Sequence, residues 1–156
     1  MKKKFWSVSK GDLLLLVPFL LFGIGKVDAN RQHDNIVQAV VNSQKTSPTY
    51  NVIFLTIDGR DPDAGLMRRF VQSKVLVRQQ SQGMPKNDSF GDSWGDYYVD
   101  NVTGRKGNLL DIENVRWLWP FRAYVEVNHP GFGEDLTLAR GLNGWSVTQR
   151  KQGWIA

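Results

Sequence analysis

Two histidines, His33 and His129, and no cysteine make up the chain's whole supply of imidazole and thiol groups. Neither histidine has a second His or a Cys at ligand spacing, which a zinc centre requires, so no such centre is expected. His129 stands at a strand end before Pro130, where Glu126 or Asp111 could join it as an acid and base pair if a cavity encloses them. The plainer reading is a solvated turn histidine. Carboxylates gather twice. Asp58, Asp61 and Asp63 crowd a turn without the alternating oxygens and distal Glu of a calcium loop, and helix capping accounts for two of them. Asp88, Asp92 and Asp96 recur every fourth residue around Trp94, yet Gly91 and Gly95 argue against the helix that would align them. They stand as candidate calcium ligands or a recognition loop, beside the reading of a solvated loop with one tucked aromatic. No Ser or Lys lies in a nucleophile motif, Gly104-Arg105-Lys106-Gly107 lacks phosphate-loop spacing, and no cofactor is implied.

Aromatic residues are the other chemical resource. Trp94, Trp117, Trp119, Trp145 and Trp154 follow residue 29, interleaved with Arg116, Arg122 and Arg150. Packing across strands accounts for Trp117 and Trp145. Trp94 in its loop, Trp119 before Pro120, and Trp154 near the end of the chain are the candidates for binding a ligand or partner.

The charge balance bears on partners. The chain of 156 residues carries +5, but residues 1–29 hold five Lys against Asp12 and Asp28, leaving 15 basic and 13 acidic residues beyond them. An excess of two is no footprint for nucleic acid, so no nucleic-acid partner is expected. The basic start, the apolar run Leu13 to Ile24 and the Val27-Asp28-Ala29 end match a secretory signal peptide. Twelve apolar residues fall short of the roughly 20 a spanning helix needs. Residues 1–29 therefore read as a signal peptide, with an uncleaved anchor touching the membrane through residues 13–27 as the alternative. The expected location is periplasmic or secreted, or else the inner membrane with a single N-terminal anchor.

Residues 30–156 suffice for a single domain. Asp34 is positioned to cap a helix whose Ile36, Val37, Val40 and Val41 form one buried stripe. Asn51 to Ile57 reads as a strand buried on both faces. Asp61-Pro62-Asp63 is expected to start a second helix reaching about Ser73, with Leu66, Met67, Phe70 and Val71 as its apolar face. A short strand at Val75 to Val77 and a long loop from Gln79 to Asp96 follow. The rest reads as an antiparallel meander. Leu110 and Ile112 share one parity while Val115, Trp117 and Trp119 share the other, which predicts a bulge near Glu113-Asn114. Ala123, Val125 and Val127 alternate with polar residues, Pro130-Gly131 and Asn143-Gly144 turn the chain, and Leu136, Leu138, Trp145 and Val147 point inward. The fold class is thus α+β, two short helices on a curved antiparallel sheet.

Ala123-Tyr124-Val125-Glu126-Val127, Leu136-Thr137-Leu138-Ala139-Arg140 and Asn143-Gly144-Trp145-Ser146-Val147 with Trp154-Ile155 resemble the closing strands of exported bacterial nuclear transport factor 2-like domains. Cystatin-like proteins share the layout. The resemblance implies a cone-shaped sheet around a helix; it decides no activity, because such folds host enzymes, carriers and assembly modules alike. The family's usual Asp and His catalytic pair has no matching positions here. The expectation is an exported, non-enzymatic domain binding a small ligand or protein partner in the cell envelope. The alternative is a small cavity enzyme, an isomerase or hydrolase, using His129 with a nearby carboxylate.

Overall fold

The computed structural model describes residues 31–86, 97–118 and 121–155. The expected export segment, the acidic loop of Asp88, Asp92 and Asp96 with Trp94, and Trp119 lie outside these residues. Of the two units into which the chain divides, Met1–His33 contributes only residues 31–33 to the description, and Asp34–Ala156 is the α+β domain. Among the described residues no helix is long and apolar enough to cross a membrane.

The first helix, α1, occupies residues 31–42, and the expected stripe of Ile36, Val37, Val40 and Val41 is wholly buried. Burial of branched side chains stabilises by about 1.5 to 3 kcal/mol each, so this stripe fixes which face of α1 meets the sheet. Asp34 lies inside α1 rather than at its cap. Its carboxylate meets Arg69 at 3.1 Å, and the same guanidinium donates to Asn35 Oδ1 at 2.9 Å.

Strand β1, Val52–Ile57, is buried on both faces as its composition requires. A tight turn follows, with Asp58 at φ 50° and Gly59 at φ 69°. The second helix, α2, spans only Ala64–Arg68. Its N-cap is Asp63, whose Oδ1 accepts from Leu66 N at 2.8 Å, whereas Asp61 accepts from Ser81 N at 3.2 Å. The start shifts because Pro62 is held outside the helix, its carbonyl accepting from Gln79 Nε2 at 2.7 Å. The chain unwinds into turns after Arg69, so Val71 is exposed instead of joining Leu66 and Phe70 in the core.

Strands β2 (Leu76–Gln79), β3 (Gly83–Lys86), β4 (Tyr97–Asp100), β5 (Lys106–Trp117), β6 (Arg122–His129), β7 (Phe132–Gly141) and β8 (Gly144–Ile155) complete the sheet. Its order is β2-β1-β5-β6-β7-β8, with β3 pairing β4 and β4 also pairing the start of β5. The sheet is large, curved and mixed. The meander from β4 to β8 is antiparallel as expected, but β1 runs parallel to both β2 and β5, which corrects the all-antiparallel expectation. Its burial on both faces is what a parallel central strand needs.

The predicted bulge is present. The β5–β6 register shifts between Glu113 and Arg116, with Asn114 at φ 48°. The extra residue keeps Ile112 and Val115 on the core side. Thereafter Ala123, Val125, Val127, Leu136 and Leu138 are fully buried against α1. The alternate positions, Tyr124, Glu126 and Asn128, form the opposite, outer face. There the sheet is partly covered by the β3–β4 flap, in which Tyr98 packs on Phe54 with ring centroids 5.4 Å apart.

Candidate functional site

Strand alternation separates the residues proposed as an acid and base pair. His129 ends β6 on the core side, as Val127 and Val125 do, and its ring stacks on Phe132 at 4.4 Å across the Pro130-Gly131 turn. Glu126 projects from the outer face, accepting from Asn114 Nδ2 at 2.6 Å and from Arg116 at 3.0 Å. Asp111 accepts from the buried Thr56 hydroxyl at 2.7 Å and from Gly59 N at 3.1 Å, so it clamps the turn after β1. The structure therefore brings neither carboxylate to His129.

What surrounds His129 is a cavity of about 40 Å³ lined by Gln44, Lys45, Thr46, Tyr50 and Asn108 among others, and its buried Nε2 has no partner. That volume suits a water rather than a substrate, since ligand pockets run to roughly 300 Å³ and more. Burial lowers the imidazole's pKa, with the nearby Arg150 acting in the same direction and Glu134 against it. The folded protein thus binds fewer protons here than the unfolded chain, so stability is whole above the ordinary value of 6.5 and is lost as pH falls through it. Denaturant titrations of wild type and His129→Phe are expected to run parallel above pH 7 and to separate between about pH 6.5 and 5, wild type falling faster. Identical pH profiles would contradict a buried, neutral His129.

Trp154 lies elsewhere, on the outer face, through a second irregularity. The β7–β8 register shifts between Phe132 and Glu134, so that Gly153 and Trp154 together oppose Gly133. A bulge re-aims a side chain, and here it lays the indole across Gly133. A Cβ on Gly133 would come within 3 Å of the ring at several atoms, so only glycine leaves room for the ring. The indole Nε1 donates to Asn128 Oδ1 at 3.3 Å, which fixes the ring's orientation although half its surface is exposed.

The fixed ring is one wall of a groove of about 290 Å³, completed by Glu113, Glu126, Asn128, Glu134 and Asp135. Burial, a hydrogen bond to Asp111 and that carboxylate's charge raise the pKa of Glu113. The Tyr124 hydroxyl donates to Asp135, which with burial pushes its pKa up to about 12. Arg116 answers Glu126 at 3.0 Å and stands over the Tyr124 ring at 5.7 Å. Arg150 answers Glu134 at 2.7 Å. Glu113 faces Asp111 instead of a cation and Lys151 stands opposite Asp135, so around the aromatic plate the five acids outnumber the three cations Arg116, Arg150 and Lys151. Among the described residues no three His, Asp or Glu converge as a metal site would require.

Of the residues singled out in the sequence, Trp154 and Glu126 meet in this groove, and Asp111 acts on it through Glu113. Glu113, Asn128, Asp135 and the cradling Gly133 were not anticipated. Their signal is the outer parity of β6, which puts Glu126 and Asn128 on one face, together with glycines facing each other on β7 and β8. The chain matches no family model, no curated protein and no solved structure.

Proposed function

We propose that the domain is an exported, non-enzymatic binding module and that its site is the outer-face groove, taking a small ligand or partner segment that bears an amino or guanidino group. The observation that carries this reading is the bulge-held indole of Trp154, laid flat over Gly133 in a groove walled by carboxylates. An aromatic face and carboxylates together attract an organic cation, the ring through its quadrupole and the acids through charge. The export segment in residues 1–29 supports placement in the periplasm or outside the cell, with a single inner-membrane anchor as the alternative. The helix packed in a curved sheet supports the cone-shaped relationship inferred from residues 121–155. The separation of His129 from Glu126 and Asp111 favours binding over the cavity-enzyme reading.

Tetralysine is a suitable probe, with tetraglutamate and a neutral tetrasaccharide as controls. Titration calorimetry is expected to show tetralysine binding to wild type, at least about tenfold weaker to Trp154→Ala and to Glu113→Gln, and unchanged to His129→Ala. Gly133→Ala should weaken it as well by displacing the indole. Affinity should fall with acid as Glu113 protonates, earlier than for an ordinary carboxylate because its pKa is raised. Binding of the tetrasaccharide in preference to tetralysine, or tetralysine binding that survives both groove substitutions, would refute the assignment.

A further inference from the structure

At the end of the sheet away from the β4–β5 turn, the close of β5 and the start of β6 lie beside the turn between β7 and β8. Arg140 N donates to Phe121 O at 2.8 Å, and Trp117 packs edge-on against Trp145 with centroids 5.7 Å apart. This tip exposes Trp117 by 43%, Leu118 by 49%, Phe121 by 59% and Leu142 by 107%, four of the nine large hydrophobics exposed among the described residues. Scattered exposed apolar residues need no explanation, but a protruding cluster does.

The charge around the cluster is one-sided. No Asp or Glu occurs in residues 114–125 or 136–156, whereas Arg122 and Arg140 stand at the base of the tip. Both are exposed, and no carboxylate pairs with either among the described residues. The acids Asp111, Glu113, Glu126 and Asp135 lie in the middle of their strands, and the turn holding Asp58 follows β1 where it ends opposite Ile112, short of the tip. Two of the described amides beside the cluster are already paired, Leu118 N donating to Arg122 O at 2.9 Å and Arg140 N to Phe121 O. Those two amides are not stranded on entering a medium poor in water.

We propose that this tip docks on an anionic phospholipid surface, with Leu118, Phe121 and Leu142 entering the headgroup and acyl boundary and Arg122 and Arg140 meeting lipid phosphates. Two features select lipid over a protein partner. The apolar side chains project from turns instead of lining a groove, and Leu142 stands clear of every neighbour, which suits insertion into a deformable medium. The cationic rim complements the negative surface of an acidic bilayer. Docked in this way, the sheet would hold the Trp154 groove, at its far end, away from the membrane.

The absence of cysteine permits a site-specific test in the full chain. Leu142→Cys carries an environment-sensitive nitrobenzoxadiazole dye at the tip, and Val102→Cys carries it on the β4–β5 turn as a control. With vesicles of phosphatidylglycerol in phosphatidylcholine, emission at position 142 is expected to shift to the blue and rise roughly threefold, with no change at position 102. Adding Arg122→Glu with Arg140→Glu should abolish the response while leaving the unfolding midpoint near that of the labelled parent. These variants retain residues 13–27, so anchoring by that segment cannot imitate the result. An aqueous dye at position 142, an equal response at 102, or a response indifferent to the charge reversal would overturn the proposal. A blue shift with delipidated envelope protein but not with vesicles would overturn it in favour of a protein partner.

Discussion

Phe54→Ala is expected to destabilise the domain by about 3 to 5 kcal/mol, the range for removing a fully buried aromatic side chain. Phe54 is wholly buried and heads the largest buried side chains of the described residues. It lies on the outer face of β1, away from the core that α1 covers. Its cover is the β3–β4 flap, with the Tyr98 ring tilted on it at 5.4 Å and Gly83 pressed so close that a Cβ there would fall 2.4 Å from Phe54 Cε1. Truncation leaves a cavity beneath a flap held by short strands, Gly83–Lys86 and Tyr97–Asp100. Collapse of the flap would soften the loss to the lower end of the range, and urea unfolding reads the difference directly. A change below about 1 kcal/mol would mean that the flap does not seal this face. Dissolving the flap would also disturb Asp100, the polar hub at its end. Its buried carboxylate accepts from Thr103 Oγ1 at 2.5 Å and from Val102 N at 3.3 Å, and meets Arg78 at 3.5 Å. Burial alone would raise its pKa, but these partners together hold it below the ordinary value.

The flap shows where sequence patterns stop informing. The run Val52 to Ile57 announces burial on both faces but cannot say what lies on each, because an apolar residue carries no address. Parallel pairing is hidden for the same reason. The alternation in β6 and the parity change in β5 are legible because each is a local pattern with one geometric solution, and the bulge at Glu113-Asn114 follows from them. The overextended reading of α2 has a local cause as well. Leu66, Met67 and Phe70 satisfy helical spacing, yet they satisfy equally a single turn followed by an irregular exit, and the late N-cap at Asp63 leaves only five helical residues.

The candidate site divides along the same line. Trp154 is recognisable as a residue worth watching, and Glu126 as a carboxylate on a polar face. Their meeting depends on the bulge that sets Gly153 and Trp154 against Gly133, a register event between strands whose turn alone is visible in the sequence. Conversely, placing His129 with Glu126 requires two residues of opposite parity on one strand to share a face, which a straight strand forbids. The parity rule applied to β6 alone would have separated them. The crowding of Glu113 by Asp111 is the same rule in reverse: two acids two residues apart on β5 share the outer face.

Gly107→Ala tests the junction on which these arrangements depend. Gly107 pairs with Val52 in the parallel β1–β5 ladder and with Tyr98 in the antiparallel β4–β5 ladder, so one residue joins the central strand to the flap. A Cβ at this position would lie 2.2 Å from the Val52 carbonyl oxygen and 2.7 Å from Val52 Cβ. Both distances are far inside van der Waals contact, and the first atom is backbone, which cannot swing aside as a side chain tip does. Relief requires β1 and β5 to part at the start of their pairing, where Val52 is itself buried. Overpacking in a well-filled interior costs about 1 to 3 kcal/mol when neighbours can adjust, and the backbone conflict here places the expected loss at or above about 3 kcal/mol. The signature should be local as well as global. Amide hydrogen exchange is expected to accelerate most in Val52 to Phe54, Lys106 to Asn108 and β4, with β6 to β8 retaining more of their protection, because those strands close on one another through ladders that do not include Gly107. Uniform acceleration across all strands would show that the sheet opens as one unit and that β1 is not a separable seam. A variant as stable as wild type would show that β1 and β5 do not approach at Gly107 as closely as these distances require.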